Sequence, residues 1–172
     1  MTQFTLDAFV ADARIAASAP DPLQATCTLM QAALAGAAQA DLPDFEDDEI
    51  LLFEDETVSV WHERFQPHEI LPPHDHAMIA VLGVYRGRER NDLWRNDGGV
   101  WQRGGTLTLE AGQQHVFAPH DIHSVQAEDG VPSYGLHIYL GALTKVDRHL
   151  FDWDTGASVP MSEAAFMSMK RT

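Results

Sequence analysis

The chain has 172 residues, with 26 Asp and Glu against 11 Lys and Arg, for a formal net charge of −15. That charge repels phosphate backbones and anionic lipid headgroups, which argues against nucleic acid or a membrane as partner. The length suits one ordinary domain, and a chain 45% hydrophobic and 22% charged has the composition of a soluble globular protein.

Met1 to Asp7 carry neither the basic stretch nor the apolar run of a secretion signal. No apolar run approaches the ~20 residues of a membrane-spanning helix. The single Cys27 leaves no internal disulfide, and the expectation is a reducing, cytoplasmic compartment. Residues 1 to about 40 read as helical. Leu6, Phe9, Val10 and Ala13 have the i, i+3, i+4, i+7 spacing of an amphipathic helix. Asp21 and Pro22 announce a second helix as N-cap and first helical residue. Its stripe of Leu23, Cys27, Met30 and Leu34 fades into an Ala-rich run ending at Leu42-Pro43, and Cys27 reads as part of that packing stripe rather than as a nucleophile. Residues 1–44 thus form an N-terminal helical extension.

From Glu49 the pattern turns to short β segments: Ile50 to Phe53, Thr57 to Phe65, the apolar Met78 to Tyr85, and the stretch around Trp101. Thr106 to Leu109, His115 to Phe117, Ile122 to Ala127, and Tyr134 to Leu140 complete the series. Turn residues separate them at Asp97-Gly98-Gly99, Gly104-Gly105, Ala111-Gly112 and Asp129-Gly130. Short strands at close spacing predict an all-β sandwich or barrel over residues 45–160, with 161–172 as a tail or short helix.

Nine histidines are the unusual feature of the composition. His74-Asp75-His76 follows Pro72-Pro73 and precedes the apolar strand. Side chains at i and i+2 of a strand share a face, so both imidazoles can bind one ion. Two histidines do not make a tight site, because metal sites normally use three or four protein ligands. The candidate for the third is His123, beyond Pro119-His120-Asp121-Ile122. His115 and His120 are its neighbours and rivals, whereas His62, His68 and His149 read as surface or structural.

These residues resemble the two signatures of the cupin superfamily. His74 and His76 match its paired histidines, Gly87 the glycine that closes the first signature, and Pro119 with His123 the second. The resemblance covers about residues 68 to 125 and implies a double-stranded β-helix barrel with His74, His76 and His123 as metal ligands. The superfamily's glutamate ligand falls here on Ala80 or Val81, which cannot coordinate. Three-histidine cupins of this kind resemble the thiol dioxygenases, the cysteine dioxygenase family. Leu136-His137-Ile138-Tyr139 matches a stretch near that family's C-terminus. It implies a catalytic role for Tyr139, beside substrate and oxygen, with His137 orienting it. Gly135 stands where that family has a serine, and its carboxylate-binding arginine has no counterpart before the metal pair. Arg64, Arg86 and Arg88 are left as anion partners without a motif.

The resemblance implies an iron(II) dioxygenase acting on a small molecule and dioxygen, with a thiol oxidised to a sulfinic acid. Zinc, nickel or manganese could stand in iron's place, since imidazole suits many metals. Another metal cupin, such as a diketone or flavonol dioxygenase or an isomerase, stays open. So does a cupin that binds a small molecule without turnover. A homodimer is expected by analogy with other cupins.

Overall fold

A computed structural model of the chain describes residues 3–172; the expected helical start at Met1 and Thr2 lies outside them. Two helices come first, α1 (Leu6–Ala17) and α2 (Pro22–Ala37). Each begins where the sequence places a cap. Thr5 accepts a hydrogen bond from the Ala8 N–H, and Asp21 accepts one from the Gln24 N–H at 3.1 Å. These bonds satisfy donors that the first turn cannot.

The strands follow as β1 (Glu49–Glu54), β2 (Ser59–Phe65), β3 (Leu71–His74), β4 (Ala80–Arg86), β5 (Arg88–Asp97) and β6 (Val100–Glu110). Next are β7 (Gln114–Phe117), β8 (Ile122–Ala127), β9 (Ser133–Tyr139), β10 (His149–Phe151) and β11 (Ser158–Pro160). A short helix, α3 (Glu163–Met169), completes the described residues. One sheet has the order β1-β2-β9-β4-β7 and the other β11-β10-β3-β8-β5-β6. The pairs β2–β9, β3–β8, β4–β7 and β5–β6 are nested and all antiparallel. The chain therefore forms one long ribbon, folded back at the β5–β6 hairpin and wound into two facing sheets. That winding is the double-stranded β-helix, the cupin barrel.

The helices cover the outer face of the first sheet. Met30, Leu34, Phe9 and Ala13 pack on Val58, Val60, Val81, Leu136 and Ile138, and Cys27 joins them at the edge. Gly83 permits the close approach, since a Cβ there would lie 2.8 Å from Met30 Sδ and 2.9 Å from a Leu34 methyl. Gly87, between β4 and β5, has φ +78°, and a Cβ would meet the Pro132 carbonyl at 2.5 Å. Only glycine fits that corner.

Two features of this region depart from the sequence reading. Gly104-Gly105 is not a break: β6 runs through it, at a register shift opposite Leu93 and Trp94. The missing Cβ of Gly104 leaves room for the Arg95 side chain, 3.1 Å away. Strand β5 was not expected at all. It is a central strand, paired with β6 on one side and β8 on the other. Its run Arg88-Glu89-Arg90-Asn91-Asp92 carries no hydropathy contrast, because polar residues occupy both faces.

Candidate metal centre

Strand β8 brings His123 to the centre of the second sheet, where it pairs with His74 on β3 and with Leu93 on β5. His76 completes the group. The ring centroids of His74, His76 and His123 are 4.5–5.1 Å apart. One nitrogen of each lies within 4.8 Å of the other two. All three are buried, His76 at 1% exposure and His123 at 0%. The predicted trio is thus brought together, while His120 stays at the surface and His115 is half-buried on β7, outside the group.

The reason for convergence differs from the one the spacing suggested. Strand β3 ends at His74, so His76 is not its i+2 neighbour on a strand face. Pro72 and Pro73 have no N–H to donate, and the β3–β8 register breaks between Leu71 and His74. The chain then turns at Ala77, with φ +56°. Asp75, between the two histidines, anchors that corner by accepting a hydrogen bond from the His149 N–H at 2.8 Å.

Burial holds all three imidazoles in the neutral form. The pKa of His74 is pushed down to about 4, and those of His76 and His123 lie well below the ordinary histidine range. The neighbouring imidazoles add to the effect at His76 and His123. Neutral imidazole is the ligand form. Two tautomers are fixed as well. His74 Nδ1–H donates to the Pro72 carbonyl at 2.9 Å, and His123 Nδ1–H donates to Asn91 Oδ1 at 2.6 Å. The Asn91 amide is itself oriented, because its Nδ2 donates to Glu89 Oε1 at 2.8 Å. Both Nε2 atoms are therefore left with free lone pairs, the arrangement that outer hydrogen bonds impose on metal-binding histidines. His123 Nε2 and His76 Nε2 are 3.3 Å apart. Two donors ~2.1 Å from one ion subtend about that distance. The donor set fits a divalent metal.

Tyr139 and His137, the other two residues singled out in the sequence, lie beside the trio. The Tyr139 ring is 5.2 Å from that of His76, and its hydroxyl is 3.3 Å from His137 Nδ1. Burial raises the Tyr139 pKa and lowers that of His137 to about 3, so phenol and imidazole are both neutral. A Cβ on Gly135 would come within 3.0 Å of His137 Nε2. Glycine there gives the ring its space.

A cavity of about 250 Å³ opens beside the three histidines, below the ~300–1,000 Å³ of pockets that take larger ligands. Trp61, Leu82 and Leu143 supply apolar wall, and Tyr139 and His137 face it. The sequence reading missed four residues that line it or support it: Glu63, Glu89, Asn91 and Arg148. Among the described residues Arg148 is the one Arg or Lys lining the cavity. Arg64, Arg86 and Arg88 do not line it. Arg64 pairs with Asp48 at 2.5 Å, Arg86 lies over the Tyr134 ring, and Arg88 pairs with Glu128 at 3.2 Å. Glu89 and Asn91 could have been found from inward alternation on β5, had it been visible as a strand, whereas Glu63 lies between the polar His62 and Arg64 on β2. No sequence signal marks Arg148, which lies in an irregular segment just before β10.

No protein-family model and no curated protein matches the chain. Solved structures do resemble it. One is a conserved protein with a double-stranded β-helix domain from Klebsiella pneumoniae, at 15% identity and TM-score 0.49, covering 63% of this chain and 83% of that one. Another is the oxalate decarboxylase of Bacillus subtilis, studied for its Mn(II) centres, at 18% identity and TM-score 0.44, covering 51% of this chain and 22% of that one. A third is an 11S globulin from Wrightia tinctoria, at 12% and 0.46, covering 55% and 23%. The chain spans less than a quarter of the length of the decarboxylase and the globulin. The nested strand order, not these likenesses, defines the fold as a cupin barrel. No helix among the described residues is long and apolar enough to cross a membrane.

Proposed function

We propose that the protein is an iron(II) dioxygenase that oxidises a small thiol to its sulfinic acid. His74, His76 and His123 would hold the ion. The overall change adds both atoms of O2 to sulfur, RSH + O2 → RSO2H, with no further reductant. One observation carries this reading: the donor group is three neutral imidazoles with no carboxylate among them, next to a protonated phenol. Bound there, iron(II) would supply the redox chemistry toward dioxygen that side chains lack, and its charge, uncompensated by any ligand, would favour an anionic donor such as a thiolate.

The chain's own residues do the rest. Asn91 and the Pro72 carbonyl keep the His123 and His74 lone pairs aimed at the ion's position. Tyr139 offers a neutral hydroxyl toward the site, a hydrogen-bond donor that His137 holds in place. Trp61, Leu82 and Leu143 give the cavity an apolar wall, which would disfavour water beside the reacting groups.

The test is an oxygen electrode with the iron-loaded protein and a panel of small thiols. Consumption of one O2 per thiol, with a sulfinic acid as product, supports the reading. Uptake only with a diketone, or ligand-induced stabilisation with no turnover of any thiol, would sink it. Tyr139→Phe is expected to bind metal normally and to lose about tenfold in kcat, the worth of one hydrogen bond of ~1–1.5 kcal/mol. Unchanged kinetics would remove Tyr139 from the mechanism.

A further inference from the structure

Two buried carboxyls, Glu63 and Glu89, share the cavity with the three histidines, and neither makes an ion pair within 4 Å among the described residues, apart from the contact of Glu63 with a neutral His137. Glu89 is 1% exposed; its Oε1 accepts from Asn91, and its Oε2 is buried with no hydrogen bond at all. Glu63 is 5% exposed, and its one charged contact among the described residues is His137 Nδ1 at 3.9 Å. That distance is too long for a hydrogen bond, and a neutral His137 makes no ion pair there. Glu49 and Glu163 lie nearer solvent on the same cavity, so four carboxyls line it against the single guanidinium of Arg148. Arg148 can offset one of them and leaves the excess acidic.

The strand register places these groups relative to the metal donors. On β5 the inward series is Glu89, Asn91, Leu93, opposite Ala127, Val125 and His123 on β8. Glu89 is thus two inward positions from the His123 rung. On β2, Glu63 is one inward position from Trp61, which pairs with His137. At ~3.3 Å per residue the two inward steps from the His123 rung to Glu89 span about 13 Å along the strand, a gap that the Glu89–Asn91–His123 hydrogen bonds bridge with side chains. A molecule in the cavity can therefore reach toward the ion's position with one end and toward the carboxyls with the other. A buried carboxylate is stable only when paired and hydrogen-bonded; Arg148 eases the charge of Glu63 without bonding to it, and Glu89 Oε2 has no partner at all.

We infer that Glu63 and Glu89 form a cation subsite, and that the substrate is a small molecule with a protonated amine at one end and the metal-binding donor at the other. If the thiol reading above holds, that substrate is an aminothiol. Each carboxyl would accept a charge-assisted N–H···O bond from the ammonium, completing the hydrogen bonding that Glu89 Oε2 lacks. Burial raises the pKa of both groups, a penalty that a bound ammonium relieves.

The experiment measures binding to the zinc-loaded protein at pH 7, by calorimetry or ligand-observed NMR, so that turnover does not intervene. The probes are 2-aminoethanethiol against its uncharged isostere 2-mercaptoethanol, and the sulfur-free pair propylammonium and 1-propanol, with 3-mercaptopropionate as the anionic competitor. In each pair the amine should bind about tenfold or more tightly, and that preference should fall to threefold or less in the Glu63→Gln/Glu89→Gln double variant at equal metal content. The single variants, each losing part of the preference, give the same reading if the double variant does not fold. No preference for the amine, a preference that survives both substitutions, or tighter binding of 3-mercaptopropionate overturns the subsite. Should propylammonium show the Glu-dependent preference while thiols bind no better than sulfur-free probes, the cation subsite stands and the thiol reading falls.

Discussion

The two faces of the five-stranded sheet come from the same strands and obey different rules. Outward, β2, β4 and β9 present Val60, Val81, Leu136 and Ile138 to the helices, with Val58 just before β2, in one apolar cluster. Inward, the alternate residues of the same strands include Glu63, His137 and Tyr139, which are buried just as deeply. Burying an apolar side chain stabilises by ~1.5–3 kcal/mol, whereas burying a carboxyl or imidazole without a full set of partners costs stability. The outer face therefore holds the barrel together, and the inner face draws on that stability to keep polar groups dry. The difference sets the inner face, with its candidate metal centre, apart from the outer one without reference to any relative.

The comparison can be broken from either side. The largest effect is expected inside: His76→Ala should lower metal content to near zero, measured by elemental analysis after loading and desalting, while the circular dichroism of the barrel persists. Normal metal occupancy in that variant would refute the ligand assignment. The next effect is expected outside. Leu34 is fully buried on α2 against the sheet, and Leu34→Ala should cost ~2–5 kcal/mol in urea unfolding, with metal bound per folded molecule unchanged. If Leu34→Ala instead lowered metal affinity as much as stability, the two faces would be coupled and the division drawn here would be wrong.

Legibility in the sequence followed the same division. The helices were readable because caps and stripes are local: Asp21-Pro22 starts α2 where its hydrogen bond is made. The histidines were readable because three imidazoles around a Pro-containing turn have few other uses, although the local geometry at His76 was misjudged. What stayed hidden depends on tertiary pairing. Strand β5 is polar on both faces, outward Arg88, Arg90 and Asp92 forming surface ion pairs and inward Glu89 and Asn91 serving the site. Without hydropathy contrast, only its pairing with β6 and β8 identifies it as a strand. Glu63 was hidden for a related reason: His62 and Arg64 beside it are polar too, so alternation along β2 did not say which side faced inward.

The smallest effect sharpens the claim that the inner face costs stability. Burial raises the Glu89 pKa from 4.5 to about 7, against the opposing hydrogen bond from Asn91. A folded-state pKa above the unfolded value means that the native protein binds the proton more tightly between those limits, so stability falls as pH rises from about 4.5 to about 7 and stays low above it. Glu63, across the cavity, is raised in the same direction by burial and by Glu49 and Glu89, and therefore adds a pH dependence of its own. The informative quantity is the difference between Glu89→Gln and the parent, both free of metal and ligand. Glutamine keeps the shape and can still accept from Asn91, but it cannot ionise. The difference should be near zero below pH 4.5 and grow to a stabilisation of up to about 3 kcal/mol above pH 7, read as the midpoint shift in urea at each pH. A difference that is flat with pH would mean that Glu89 is already paired in the free protein, and the contrast between the faces would lose its clearest measure.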